Sequence, residues 1–130
     1  MRRIIAAVLV CLMLILAGCG GEEQPVYRRL SPEKALEMMT QEHILLDVRT
    51  EEEFNLMRLE GAVLIPDYEL EARAESELPN KGALILVYCR SGRRSAIAAE
   101  ELGWLGYTNV YDLGGIIDWP YVTVSGREGG

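Results

Sequence analysis

Histidine is almost missing from this chain: among 130 residues it occurs once, as His43. Cysteine occurs three times, tryptophan twice and phenylalanine once. A zinc or haem centre built from imidazoles and thiolates needs several such ligands together, so no convincing ligand set exists and neither a metal nor another cofactor is expected. A cysteine–histidine dyad would have to recruit His43. That residue opens the apolar run His43 to Val48 and so enters its strand at the end opposite the expected site. Positive charge is also short, with 13 Lys and Arg against 20 Asp and Glu for a net charge of −7. Such a balance speaks against nucleic acid or an anionic membrane face as partner.

The longest apolar run stands at the start. Met1-Arg2-Arg3 is basic, Ile4 to Leu16 is almost purely apolar, and Leu16-Ala17-Gly18-Cys19 follows. Ile4 to Cys19 falls short of the roughly 20 residues that a bilayer-spanning helix needs, so residues 1–18 read as an export signal. The Leu-Ala-Gly-Cys ending resembles a bacterial lipobox, whose cysteine is lipidated and becomes the new N-terminus. Cys19 is then the lipidation site and residues 19–26 carry the lipid and a polar tether. The domain is expected outside the cytoplasmic membrane, facing the periplasm or cell exterior, touching membrane only through its lipid. An ordinary signal peptide or an uncleaved anchor is the plainer alternative.

What remains after cleavage permits one small domain, and losing Arg2 and Arg3 leaves it more acidic still. Cys11 departs with the signal and Cys19 carries lipid, so Cys89 is the only free thiol. It has no disulfide partner, which is unusual in an exported protein.

Strands and helices alternate along residues 27–120. Val26 to Leu30 suits a short strand, and Ser31-Pro32-Glu33 opens a helix to about Thr40. His43 to Val48 fits a buried strand, and Thr50 to Glu53 has capping-box spacing. Ala62 to Ile65 is a further strand, Asp67 to Leu78 an exposed, charge-rich helix, and Pro79 to Gly82 a turn. Ala83 to Tyr88 shows no polar alternation, the mark of a strand buried on both faces of a parallel sheet. A helix is expected from Ser95 to Leu105, where Ala96, Ala98 and Ala99 allow close packing. Asn109 to Leu113 is the last strand, with a short helix after Gly114-Gly115. Residues 121–130 are a tail, loosely ordered from Val122 onward. Alternating elements imply an α/β protein, a three-layer α/β/α sandwich with a mostly parallel sheet, and ligands in such sheets bind at the carboxyl ends of strands.

Cys89 sits at such an end, and the scarce positive charge gathers there. In Cys89-Arg90-Ser91-Gly92-Arg93-Arg94-Ser95 three arginines lie within five residues of the sulfur. An arginine-rich loop and a helix N-terminus favour thiolate over thiol, and they also seat a small anion. An inert buried cysteine is the bland alternative, but its flanks are not a core sequence. With no general base available, the chemistry that fits is attack by sulfur on an already activated anion, with loop amides, helix and arginines as the means of activation.

These residues, with Asp47-Val48-Arg49, Glu53-Phe54, Gly61 to Pro66, Gly106 to Val110, and Leu113-Gly114-Gly115 with Trp119, resemble a single-domain rhodanese, a thiosulfate sulfurtransferase-like protein. The resemblance runs from about Ser31 to Trp119. It implies a five-stranded parallel sheet flanked by helices and a persulfide-forming cysteine at Cys89. It implies an active-site loop of Arg90, Ser91, Gly92, Arg93 and Arg94 whose amides face the sulfur and bind substrate. Asp47 and Arg49, with Ser95, are expected to support that loop, and Gly61 and Ala62 to allow close backbone packing. Arg58 departs from the histidine that many relatives carry and would add a cation near the pocket. The implied partners are a small anionic sulfur donor and an acceptor, either cyanide or a thiol of small-molecule or protein origin; a monomer is expected. Phosphatases of this fold have Cys-x5-Arg, whereas Arg94 makes this loop Cys-x4-Arg, a shorter cradle that favours a sulfur substrate over phosphate or arsenate. A non-catalytic or regulatory binding module is the remaining alternative, against which the intact cysteine counts.

Overall fold

The computed structural model describes residues 27–127. The expected signal segment, Cys19 and the whole tether lie outside them, as do residues 128–130. Strand β1 (Arg28–Arg29) leads to helix α1 (Pro32–Met38), whose start is fixed by the Ser31 hydroxyl accepting from the Lys34 amide and by Pro32 in the first turn. Next come β2 (Ile44–Asp47), α2 (Glu51–Leu56), β3 (Arg58–Leu59) and β4 (Val63–Leu64). The capping box at Thr50 and Glu53 forms at the start of α2. A 3-10 turn (Asp67–Glu69) precedes α3 (Leu70–Glu77), followed by β5 (Ile85–Cys89), α4 (Arg93–Trp104) and β6 (Val110–Gly115). A second 3-10 turn (Ile116–Asp118) and β7 (Thr123–Val124) complete the described chain.

Five strands form one parallel sheet in the order β1-β6-β5-β2-β4, while β3 and β7 make a separate antiparallel pair. The central strand β5 is buried along its whole length, as its unbroken apolar run predicts. One sheet face packs against Leu70, Ala74 and Leu78 of the α3 segment and Ala98, Ala99 and Leu102 of α4. The other packs against Ala35 of α1, Phe54 of α2 and Ile116. Fully burying one such Leu or Phe contributes about 1.5–3 kcal/mol, so helices on both faces hold the sheet in three layers.

The connections from β2 and β5 leave toward opposite faces, since α2 joins one cluster and α4 the other. Neighbouring strands whose chains depart in opposite directions open a crevice at their carboxyl ends. Asp47 ends β2 and Cys89 ends β5, on either side of that crevice.

Several expectations are corrected. The segment 67–78 is not simply exposed, because Leu70, Ala74 and Leu78 are buried in the core. Helix α4 starts at Arg93 rather than Ser95, because Gly92 at φ 103° turns the chain directly into it. Strand β6 runs through Gly114-Gly115, which were expected to follow it. The segment expected to be loose from Val122 contains β7, which pairs Thr123 and Val124 with Leu59 and Arg58. Arg58, expected to add a cation near the pocket, is engaged by neighbouring backbone: its guanidinium donates to the carbonyls of Phe54 and Gly126 and lies 4.6 Å from the Phe54 ring centroid. Gly61 serves a turn at φ 81° with nothing within 4 Å of where a Cβ would stand, so its role is backbone conformation and not close packing.

Candidate active site

Cys89 is 1 % exposed, at the last position of β5. The chain must reverse there from strand to helix, and Gly92 makes the reversal possible in a backbone region that side chains disfavour. The Gly92 amide donates to the Cys89 sulfur at 3.0 Å, so the residue that caps α4 also holds the sulfur in place. Ser95, fully buried one turn into α4, places its Oγ 3.5 Å from the sulfur and within reach of the Gly92 and Gly114 carbonyls at 3.2 and 3.3 Å. The sulfur therefore lies at the amino end of a twelve-residue helix, where unsatisfied amides and the helix dipole favour negative charge.

Strand β6 supports the loop from below. Its register against β5 slips by one residue between Val87 and Tyr88, which sets Gly114 opposite Tyr88 and Gly115 opposite Cys89. Such bulges bend a strand where a side chain must be re-aimed. A Cβ at Gly115 would overlap the Arg90 carbonyl and the Ser91 Cα, and one at Gly114 would fall inside the Arg29 guanidinium. The loop can approach β6 because these positions carry no side chain. Asp112, buried at 1 %, accepts from the Gly114 amide at 2.8 Å and from Arg29 at 3.2 Å. Arg29 Nη atoms lie 3.4 Å from where a Gly92 Cβ would stand, so Arg29 covers the joint between loop and bulge.

On the other side of the crevice, Asp47 and Arg49 form a buried pair. Asp47 accepts from the Arg49 backbone amide, Nε and Nη2, and Arg49 Nη2 also donates to the Met57 carbonyl at 2.6 Å. Burial opposes the charge on Arg49, but its bonds to Asp47 hold it above its ordinary value. Removing Arg49 would strand a buried carboxylate, at a cost on the order of 3–5 kcal/mol. Burial pushes the Tyr88 hydroxyl well above the usual phenol range, with Asp47 adding to the effect; the same hydroxyl accepts from the Leu59 amide at 3.1 Å.

The loop arginines stand in different settings. Arg94 is clasped by Glu53 through two bonds, of 2.8 and 2.9 Å. Those bonds hold the Glu53 carboxyl at about 2, against burial, which works the other way, and they raise Arg94 in return. Arg90 and Arg93 are exposed and make no side-chain hydrogen bond or ion pair among the described residues. Ser91 is exposed and Gly92 buried. His43 stands before β2, at the opposite end of the sheet, with Nδ1 2.8 Å from the Gln41 carbonyl. Sequence reasoning gives Arg29 and Asp112 no site role and Glu53 only a place in the capping box of α2. For Glu53 the capping-box spacing was a signal for α2, but not for its second bond across the crevice.

A parallel α/β sheet with a buried thiol under a helix N-terminus at its switch point defines a class of anion-directed cysteine sites. Residues 31–120 match the Rhodanese-like domain family. The chain belongs to that family. It is 37 % identical over 81 residues to the thiosulfate sulfurtransferase PspE of Escherichia coli, covering 62 % of this chain and 78 % of that protein. It is 31 % identical over 104 residues, 78 % of this chain, to an adenylyltransferase and sulfurtransferase of Yarrowia lipolytica, but spans only 26 % of that longer protein. A solved structure of a rhodanese with anions from E. coli superimposes with a TM-score of 0.61 at 36 % identity, over 65 % of this chain and 99 % of that one.

The Glu53–Arg94 clasp carries a pH signature. A carboxyl held below its ordinary 4.5 stabilises the fold fully above that value and loses its contribution as pH falls through about 2. In urea unfolding from neutral pH downward, the stability difference between wild type and Glu53→Gln should be constant above 4.5 and shrink toward 2. A difference that stays flat through that window contradicts the clasp.

Proposed function

We propose that this protein is a sulfurtransferase in which Cys89 carries sulfane sulfur as a persulfide. The observation that carries the reading is the Gly92 amide on the Cys89 sulfur at the amino end of α4. A thiolate there attacks the sulfane sulfur of thiosulfate. The new bond joins Sγ to that sulfur, the sulfur–sulfur bond of thiosulfate breaks, and its electron pair leaves with sulfite. No proton moves in this step, which suits a site whose lone histidine lies at the other end of the sheet. Cyanide or a thiolate then attacks the outer sulfur, thiocyanate or an acceptor persulfide departs, and Cys89 is released as thiolate. Charge and atoms balance in both steps.

Ser95 Oγ fits both states of the sulfur: it accepts from the thiol, and its hydroxyl turns to donate once the sulfur is anionic. The Gly92 amide supplies a second donor to the thiolate. Arg90 and Arg93, exposed and without partners among the described residues, supply the positive field that draws in the anion. Arg94 contributes mainly by holding α4 against α2. Asp47 and Arg49 act through the backbone between β2 and α2, and Asp112 through Gly114. The engagement of Arg94 by Glu53 also favours sulfur transfer over phosphate chemistry, which in this fold relies on an arginine free to grip the phosphate. The names of the E. coli and Y. lipolytica relatives support sulfurtransferase activity for this chain in general.

The reading is tested by intact mass. Thiosulfate should add one sulfur atom to the wild-type domain and cyanide should remove it, while Cys89→Ser should show neither; unchanged turnover in Cys89→Ser defeats the proposal.

The same protein is proposed to be an exported lipoprotein, diacylated on Cys19, on the strength of its basic start, short apolar run and Leu16-Ala17-Gly18-Cys19. Two acyl chains give stable attachment where one is marginal. Metabolic labelling with a fatty-acid analogue should mark wild type and not Cys19→Ala; equal labelling of both, or none of wild type, overturns the anchor.

A further inference from the structure

Beside the cysteine loop lies a cavity of about 440 Å³ lined by Arg49, Glu53, Leu56, Met57, Arg90, Ile116 and Ile117. Its rim is apolar in a way that the fold alone does not require. Leu56 is 77 % exposed, Ile117 62 % and Met57 42 %. Much of this apolar surface stays in water in the isolated chain, and apolar groups gathered around one opening mark a place where something apolar docks. The rim is also fixed in place. The Ile117 amide donates to the Arg90 carbonyl at 3.2 Å, tying it to the residue after Cys89. The Met57 carbonyl is held by Arg49 at 2.6 Å.

The charges of the lining leave a simple remainder. Glu53 is matched by Arg94 and Arg49 by Asp47, both through two or more hydrogen bonds. Arg90 alone has no matching partner among the described residues. The cavity thus offers apolar walls and one uncancelled cation, carried by the residue that follows Cys89.

We infer that the acceptor of sulfur from Cys89 is a small aliphatic thiol with an apolar body and a carboxylate, and that Leu56, Met57 and Ile117 determine this preference. The inference rests on the persulfide reading above. The acceptor thiolate attacks the outer sulfur, the bond from that sulfur to Cys89 breaks with its electron pair returning to Sγ, and the acceptor leaves as its own persulfide. Contacts along the acceptor's hydrocarbon chain lower the energy of that encounter, while Arg90 holds the carboxylate. A hydrophilic thiol such as glutathione makes neither its full apolar contact nor the same fit.

The test is a series of mercaptoacetate, mercaptopropionate, mercaptohexanoate and mercaptooctanoate, with mercaptohexanol as the uncharged mate and glutathione as the hydrophilic comparison. Discharge of the wild-type persulfide is followed as kcat/KM for each thiol, corrected for its thiolate fraction, with cyanide measured in parallel. Specificity should rise about two- to fourfold per added methylene, the upper figure being full burial, until the cavity is filled. Mercaptohexanoate should exceed mercaptohexanol and glutathione. Leu56→Ser and Ile117→Ser, both at exposed positions, should flatten the chain-length dependence and lower the ratio of mercaptohexanoate to cyanide specificity. A series that is flat in wild type while cyanide turns over overturns the acceptor class and leaves persulfide chemistry standing. An unchanged mercaptohexanoate-to-cyanide ratio in both variants removes the rim residues from specificity and overturns their assignment. Failure of cyanide turnover as well would overturn the reading beneath.

Discussion

Everything at the candidate site depends on one hydrogen bond, from the Gly92 amide to the sulfur of Cys89. It exists because the chain turns from β5 into α4 through a residue at φ 103°, which glycine adopts without the strain that other residues incur. Strand, turn and helix are thereby locked into one unit in which the nucleophile ends the strand and the positive end of the helix begins three residues later. Burial of an anion at this depth is costly unless donors are already in place. Gly92 is such a donor, its position set by backbone geometry, and the Ser95 hydroxyl, which donates to the Gly92 and Gly114 carbonyls, lies within reach of the sulfur.

The rest of the fold keeps that unit still. Two buried carboxylates, Asp47 and Asp112, each accept from a backbone amide two residues onward and from an arginine. One stiffens the exit from β2, the other the bulge of β6 on which the loop rests. Gly115 admits the Arg90 and Ser91 backbone where any side chain would exclude it. Glu53 reaches from α2 to Arg94 and closes the crevice between the elements that follow β2 and β5. Polar pairs thus brace the elements on either side of the loop, while Leu56 and Ile117 stay exposed.

Much of this was legible from residue order, and the parts that were not share a cause. The buried strand before Cys89, the capped start of α2 and the alternation of elements follow from local patterns that physical chemistry ties closely to structure. The Cys89 loop stood out because arginines are rare near a core thiol. Which of the arginines is paired is not legible there, since charge in sequence says nothing of pairing in space. Arg94 meets Glu53 across 41 positions and Arg29 meets Asp112 across 83. Helix α4 begins two residues before the Ala-rich run that marks it in sequence, because Gly92 turns the chain into it, and the Glu53 clasp offsets the unfavourable placing of Arg94 beside a helix N-terminus. Strand β7 went unseen because a two-residue pairing has no periodicity to read. The apolar rim was equally invisible, as Leu56, Met57 and Ile117 belong to segments that look like ordinary helix and turn.

The central claim is that a preorganised thiolate, with no general base, performs the first sulfur transfer. Its most direct test is rapid-mixing measurement of sulfite release from thiosulfate in light and heavy water, on the pH-independent plateau of the rate. With no proton in flight, the account predicts a solvent deuterium isotope effect of about 1. A normal effect of about 2 or more on that plateau would reveal a rate-limiting proton transfer, and with it a base that this arrangement of residues does not provide.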